Sequence, residues 1–229
     1  MHSNKKLMKK IAAALLASLF YTDTILLAAS PILPDTKAPS DCQPLVQETA
    51  SGIPLVNIAA PSAGGVSRND YERFNVPEKG AVLNNSYTLS KTELAGFVQG
   101  NANMAGGPAK IILNQVTSGH PTTMNGFLEV AGTKADVVIA NPNGITVNGG
   151  GFINTGRAIL TTGKPEYSRD NQWKDIRVSN DAMIVIDGKG LNGEKADAIE
   201  LYTRAAKILG QIKAETLQVT TGANVIDAK

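Results

Sequence analysis

From Ser51 onward, short apolar runs recur along the chain, each ended by Gly, Asn or Asp. They are PLVNIA (54–59), AKIILNQV (109–116), GFLEVAG (126–132), ADVVIA (135–140), GITVN (144–148), RAILTT (157–162), DIRVS (175–179) and AMIVIDG (182–188). These runs have strand length, are enriched in Val and Ile, and are bounded by turn formers. Many such strands without long helical patterns predict an all-β architecture. Some runs, such as VVIA, are apolar on consecutive residues, whereas Leu217 and Val219 alternate with Gln218 and Thr220. A solenoid of stacked coils and a two-sheet sandwich both produce this texture, and no strict self-repeat of roughly 20–50 residues favours the solenoid. Tyr167–Asp175 is polar apart from Tyr167 and Trp173. It reads as a loop or hairpin projecting from the core, with Trp173 as a local packing anchor.

The first 50 residues have a different texture. Lys5, Lys6, Lys9 and Lys10 precede IAAALLASLF (11–20), a polar break at Thr22–Thr24, then ILLAAS (25–30) and Pro31. A basic segment, an apolar run and small residues before a proline predict a secretory signal peptide over residues 1–30. Asp23 interrupts the apolar run well short of the ~20 residues that a spanning helix needs. Residues 31–50 are Pro-rich and polar and read as a flexible linker, which leaves 51–229 as the folded domain.

Charge then changes its meaning. The formal net charge is +2, but beyond residue 30 there are 18 basic and 19 acidic residues, a net charge of −1. No basic body remains to neutralise nucleic-acid phosphates.

Beyond the signal the chain has one Cys, Cys42, and one His, His120. A single Cys forms no internal disulfide, and in this segment it reads as an exposed thiol; His120 reads as a loop residue. Zinc sets and Ser-His-Asp or Cys-His pairs are hard to build from these two, so no cofactor, no metal and no enzymatic activity are expected. Residues 183–193 do carry Gly188, Gly190 and Gly193 in G-x-G-x-x-G spacing after a strand, followed by helical spacing at Ala198, Leu201, Tyr202, Ala205, Ile208 and Leu209. That pattern resembles a dinucleotide-binding turn. The next strand carries no acidic residue for a ribose, so the glycines read as a turn.

The run Asn141–Thr155, NPNGITVNGGGFINT, is the most informative segment. Pro142 presets φ, Asn143-Gly144 tolerates positive φ, and Asn side chains bond neighbouring backbone, so Asn141–Gly144 is a corner between two strands. Together with PLVNIAAPSAGGVSRNDYERFNV (54–76), GAVLNNS (80–86), GNANMAGGPAKIILNQV (100–116), 126–163 and AAKILGQIKAETLQVTTGAN (205–224), the chain resembles the secretion domain of two-partner-secretion exoproteins. That family includes filamentous haemagglutinin, haemolysins and contact-dependent inhibition toxins.

The resemblance implies a right-handed parallel β-helix with capping and extra-helical β-hairpin elements, in which 198–209 becomes strand and turn. It implies a secretion domain that passes through the periplasm of a Gram-negative bacterium and engages an outer-membrane β-barrel transporter with periplasmic receptor domains. The signal peptide would hand the chain to inner-membrane export machinery, and the product would lie at the cell surface or be secreted. Contact with a host or neighbouring-cell receptor would belong to downstream regions. Two Asn motifs are carried over, as sites for transporter recognition or folding. Asn141, Pro142, Asn143, Gly144 and Ile145 form an intact motif. Asn101, Asn103 and Met104 form the other, with Ala102 where the family has Pro and Met104 where it has Leu. Val147 and Gly150 stand where some relatives carry a Cys pair. The competing reading is a stand-alone secreted β-helix that serves as an adhesin or binds or cleaves polysaccharide; Asp136, Asp175, Asp181 and Asp187 are its acidic candidates, though no spacing pairs them.

Overall fold

A computed structural model describes residues 30–168 and 172–227. The signal-peptide expectation therefore lies outside the described residues, apart from Ser30. From Pro31 the chain forms β1 (Ile32–Pro34), a 3-10 turn at Ser40–Cys42 and β2 (Leu45–Glu48). A stack of six coils follows. Coil 1 holds β3 (Pro54–Asn57) and β4 (Val66–Phe74), and coil 2 begins with β5 (Ala81–Asn85). The chain then leaves the stack in a hairpin, β6 (Ser90–Thr92) and β7 (Gly96–Val98), before β8 (Ile111–Val116) and β9 (Thr122–Met124) complete coil 2. Coil 3 is β10 (Phe127–Gly132), β11 (Ala135–Ala140) and β12 (Ile145–Val147). Coil 4 starts with β13 (Gly150–Thr161), departs in a second hairpin of β14 (Lys164–Tyr167) and β15 (Trp173–Val178), and closes with β16 (Met183–Ile186). Coil 5 is β17 (Leu191–Thr203) and β18 (Ala205–Ile208). Coil 6 contains β19 (Ile212–Lys213) and β20 (Leu217–Thr221), after which β21 (Asn224–Asp227) returns to pair with β15.

Successive coils pair in parallel and build three faces. The first runs β3-β5-β10 and on through the opening residues of β13 and β17 to β19. The second runs β4-β8-β11, the remainder of β13 and β17, and β20. The third is β9-β12-β16-β18, preceded by a bridge from Val76 to Met124. This is a parallel β-helix. β13 turns from the first face to the second at Asn154, whose φ is +54° and whose Nδ2 donates to the carbonyls of Val130 (2.7 Å) and Gly132 (3.1 Å) one coil back. Asn is among the few residues that tolerate this conformation, because its short amide bonds locally.

The core explains the apolar texture. Val56, Leu83, Val130, Phe152, Ile112, Val137 and Ile199 point inward into one continuous cluster. The outward side of the second face, Leu113, Val138, Ala140, Ile159 and Tyr202, is covered in turn by Ile176 and Val178 of the second hairpin, with Trp173 and Ile226 packed alongside. Strands buried on both sides read as consecutive apolar residues, which is why ADVVIA shows no alternation. Trp173 is the packing anchor expected, its indole N–H donating to the Asp175 carbonyl at 3.2 Å. Arg68 of β4 stacks 4.3 Å over the Tyr167 ring and forms a forked pair with Asp70 at 3.0 and 2.8 Å, which ties the hairpin to the helix wall. The β6-β7 hairpin covers the first face with Val98 and Leu94 over Val82 and Ala131. It is held by Glu129, whose buried carboxylate accepts the N–H groups of Glu93 (2.7 Å) and Leu94 (2.9 Å).

Two expectations change here. Residues 31–50 are not a flexible linker. β1 pairs antiparallel with β4 and β2 with β3, and Ile32 is fully buried. Coil 1 would otherwise expose open strand edges, and these two strands cover them. Cys42 accordingly is not exposed: it is 3% accessible, and burial pushes its thiol up to about 11. The G-x-G-x-x-G glycines do form a turn. Gly190, at φ +76°, donates its N–H to the Asp187 carbonyl at 2.7 Å, and Gly193 lies within β17.

Candidate functional site

Both Asn motifs fall on coil corners, and each is built in the same way. At the first, Asn101 precedes a 3-10 turn over Ala102–Met104 with φ −92° and ψ 114°. Its Oδ1 accepts the Asn103 N–H at 3.1 Å, and its carbonyl accepts the Met104 N–H at 3.0 Å. Its Nδ2 donates to the carbonyls of Ile58 (2.9 Å) and Asn84 (3.1 Å). Asn103 is exposed, yet its Nδ2 also donates to the Ile58 carbonyl at 2.9 Å. Met104 is 2% accessible and belongs to the helix core. One coil is thereby stapled to the one before it.

The second corner repeats the arrangement between β11 and β12. Asn141 is fully buried. Its Oδ1 accepts both the N–H (2.9 Å) and the Nδ2 (3.0 Å) of Asn143. Its Nδ2 donates to the His120 carbonyl and to Thr122 Oγ1, each at 2.9 Å. Asn143, again exposed, donates from Nδ2 to the Ser118 carbonyl at 2.7 Å. Gly144 has φ +107°, its N–H reaches the Asn141 carbonyl at 3.1 Å, and its own carbonyl accepts the Thr122 N–H at 3.0 Å. A Cβ there would lie 3.3 Å from the Met183 carbonyl oxygen, in a conformation L side chains rarely adopt. Pro142 offers its carbonyl to Asn180 Nδ2 at 2.6 Å, and Ile145 turns back into the core at 1% accessibility. Here the neighbours on both sides are engaged, since Asn141 N–H donates to the Thr161 carbonyl of the next coil at 2.9 Å.

In each corner the leading Asn is buried and all its polar atoms serve the fold, while the trailing Asn is the exposed partner. The two motifs lie on different edges of the helix. Asn101 lies between β5 of the first face and β8 of the second, after the β6-β7 hairpin, and Asn141 between β11 of the second face and β12 of the third, so they form two separate corners. Asn180 shares the second corner, yet nothing in its local sequence singled it out. Val147 and Gly150 do stand side by side: a Cβ on Gly150 would meet Val147 Cγ1 at 2.9 Å. His120 lies in an exposed turn, its Nδ1 3.1 Å from Ser118 Oγ.

The acidic candidates are distributed over separate elements. Asp136 pairs with Arg157 through two 2.8 Å contacts, Asp175 with Lys174 at 3.3 Å, and Asp187 accepts the Gly188 N–H at 2.9 Å. Each of these three is committed to a structural partner.

A sequence model described as the TPS secretion domain matches residues 30–229. The chain is 46% identical over 201 residues to Toxin CdiA of Yersinia pestis, a stretch that covers 88% of this chain and 6% of that protein. It is 42% identical over 210 residues to 16S rRNA endonuclease CdiA of Enterobacter cloacae, covering 90% of this chain and 6% of the relative. The chain thus spans about 6% of the length of these curated relatives. Among solved structures, the filamentous hemagglutinin secretion domain superposes with a TM-score of 0.77 at 32% identity, covering 86% of this chain and 65% of that one.

Proposed function

The chain belongs to the TPS secretion-domain family, and from that premise we propose that it directs export of a longer exoprotein through a cognate outer-membrane β-barrel transporter with periplasmic receptor domains. Residues 1–30 serve as the signal that hands the chain to the inner-membrane machinery. The chain crosses the periplasm, and the β-helix forms at the cell surface or in the medium. The domain itself carries out no catalysis. Any toxic, adhesive or receptor-binding activity belongs to downstream sequence, as the nuclease in the Enterobacter relative's name belongs to a protein about 6% covered by this chain.

Within that function the two Asn corners are assigned to folding. The supporting observation is the burial of Asn101 and Asn141, whose amides are spent inside the fold: Asn101 on the Ile58 carbonyl of the coil before and the Asn84 carbonyl of its own coil, Asn141 on the His120 carbonyl and the Thr122 hydroxyl of the coil before. Seating each coil on the last outside the cell also gives the emerging chain a free-energy gradient that opposes backsliding. The test is co-expression of the chain with a two-partner-secretion transporter from the same organism. Release of the folded domain into the medium is expected, and retention in the periplasm with the transporter present sinks the proposal.

A further inference from the structure

At the edge between the second and third faces, each of coils 2–5 passes a side-chain donor to a backbone carbonyl of the coil before it. Ser118 Oγ of coil 2 donates to the Glu72 carbonyl of coil 1. Asn143 Nδ2 of coil 3 donates to the Ser118 carbonyl at 2.7 Å. Asn180 Nδ2 of coil 4 donates to the Pro142 carbonyl at 2.6 Å, and Thr203 Oγ1 of coil 5 to the Ala182 carbonyl at 3.4 Å. These four bonds run in one direction, from the later coil to the earlier. Only Asn143 among the donors belongs to a motif visible in the sequence.

Asn180 has the most to join. The β14-β15 excursion leaves coil 4 just after Thr162 and returns just before Asn180. The same Asn180 Nδ2 that reaches Pro142 also donates to the Thr162 carbonyl at 2.9 Å. One amide nitrogen thus closes the neck of the excursion and fastens it to the Asn141–Gly144 corner below. Its Oδ1 is buried with no hydrogen-bond partner among the described residues, so the donor end alone does the holding. Closing a loop of this length opposes folding entropically, and two bonds at its neck offset that term where it arises.

We propose that Asn180 is a positioning residue for secretion, seating coil 4 on the Asn141–Gly144 corner so that this corner templates the coils that follow it. The proposal rests on the folding role assigned above to the Asn corners. With coils seating in chain order, the Pro142 acceptor on coil 3 precedes the arrival of Asn180 on coil 4. Coils 1–3 therefore form without Asn180, and coils 4–6 depend on it.

The test is hydrogen-exchange pulse labelling, read by mass spectrometry, during refolding of the chain from urea. In Asn180→Ala, protection of β10–β12 is expected at the wild-type rate, whereas protection of β16–β18 is delayed about tenfold. Asn180→Asp is expected to show the same delay at pH 7, where a carboxylate cannot donate. When refolded near pH 4, where part of the acid is protonated and regains a donor, it is expected to recover partly while the Ala variant does not. Wild-type protection rates in β16–β18 overturn the proposal, as does a uniform delay in every coil or an Asp variant with no pH recovery. The underlying reading fails separately: Asn141→Ala and Asn143→Ala would then refold at wild-type rates yet not be exported, whatever Asn180→Ala does to coil 4.

Discussion

Exchanging the two Asn residues of the second corner, one at a time, separates folding from recognition. Asn141→Ala removes four hydrogen bonds, two donated to His120 and Thr122 and two accepted from Asn143. At about 1 kcal/mol each, with some solvent compensation at the exposed His120 and Asn143, the loss is about 3 kcal/mol. That is a large share of the roughly 5–15 kcal/mol that holds a domain together. Asn143→Ala removes the bond to Ser118 and one to Asn141, both at an exposed side chain, so about 1 kcal/mol is expected. With a urea slope of about 2 kcal/mol/M, unfolding followed by far-ultraviolet circular dichroism should show midpoints lowered by about 1.5 M and about 0.5 M respectively. Secreted yield beside the transporter should fall in the same order, with Asn141→Ala the more damaging. The opposite order refutes the reasoning: if Asn143→Ala abolishes secretion with its midpoint unmoved, the transporter reads the exposed amide.

Two further outcomes follow from the geometry. Ala102→Pro should stabilise the chain by about 0.4–1 kcal/mol, because Ala102 opens a 3-10 turn, Asn101 before it is extended, and proline is tolerated at such a first position; a lowered urea midpoint would contradict this. Cys42, buried and with its thiol pushed up to about 11, should resist iodoacetamide at pH 8 in the native chain and react once urea unfolds it; equal rates in the two states, read by mass spectrometry, would place the thiol at the surface.

The strands of the helix wall were legible because their chemistry is local. ADVVIA, AKIILNQV and AMIVIDG each became the strand their apolar residues announced, at Ala135–Ala140, Ile111–Val116 and Met183–Ile186. The repeat was hidden for a physical reason. Ile199 lies opposite Leu217, Ile145 opposite Thr122 and Leu55 opposite Val82, so steps without a hairpin already vary from 18 to 27 residues, and the hairpins place Ala81 opposite Leu128 and Gly150 opposite Leu191. Coil steps of unequal length and two excursions together erase any fixed period from the sequence, while the parallel pairing of successive coils persists. Residues 198–209 showed helical spacing in part because Ile199, Leu201 and Tyr202 are buried on both sides of one strand, which breaks alternation. The capping strands over 31–50 escaped because strands this short carry few apolar residues, and of the residues in β1 and β2 only Ile32 is fully buried. The corners divided in the same manner. Asn141–Gly144 announces its turn through proline and glycine, whereas Asn180 owes its place to a hairpin that brings it back beside Thr162, which no local pattern records.

The closed neck between Thr162 and Asn180 has a consequence for how such chains diverge. A coil whose ends are joined independently of what lies between them sets no fixed length for the intervening segment. Insertions at the far end of the β14-β15 hairpin should then be absorbed without shifting the pairing of β13 with β17, much as a bookmark may be lengthened without renumbering the pages. Length differences between relatives should gather in 86–108 and 163–179, while the spacing from β10 to β13 stays fixed. An epitope placed at that far end would be displayed on a wall whose registration it does not disturb.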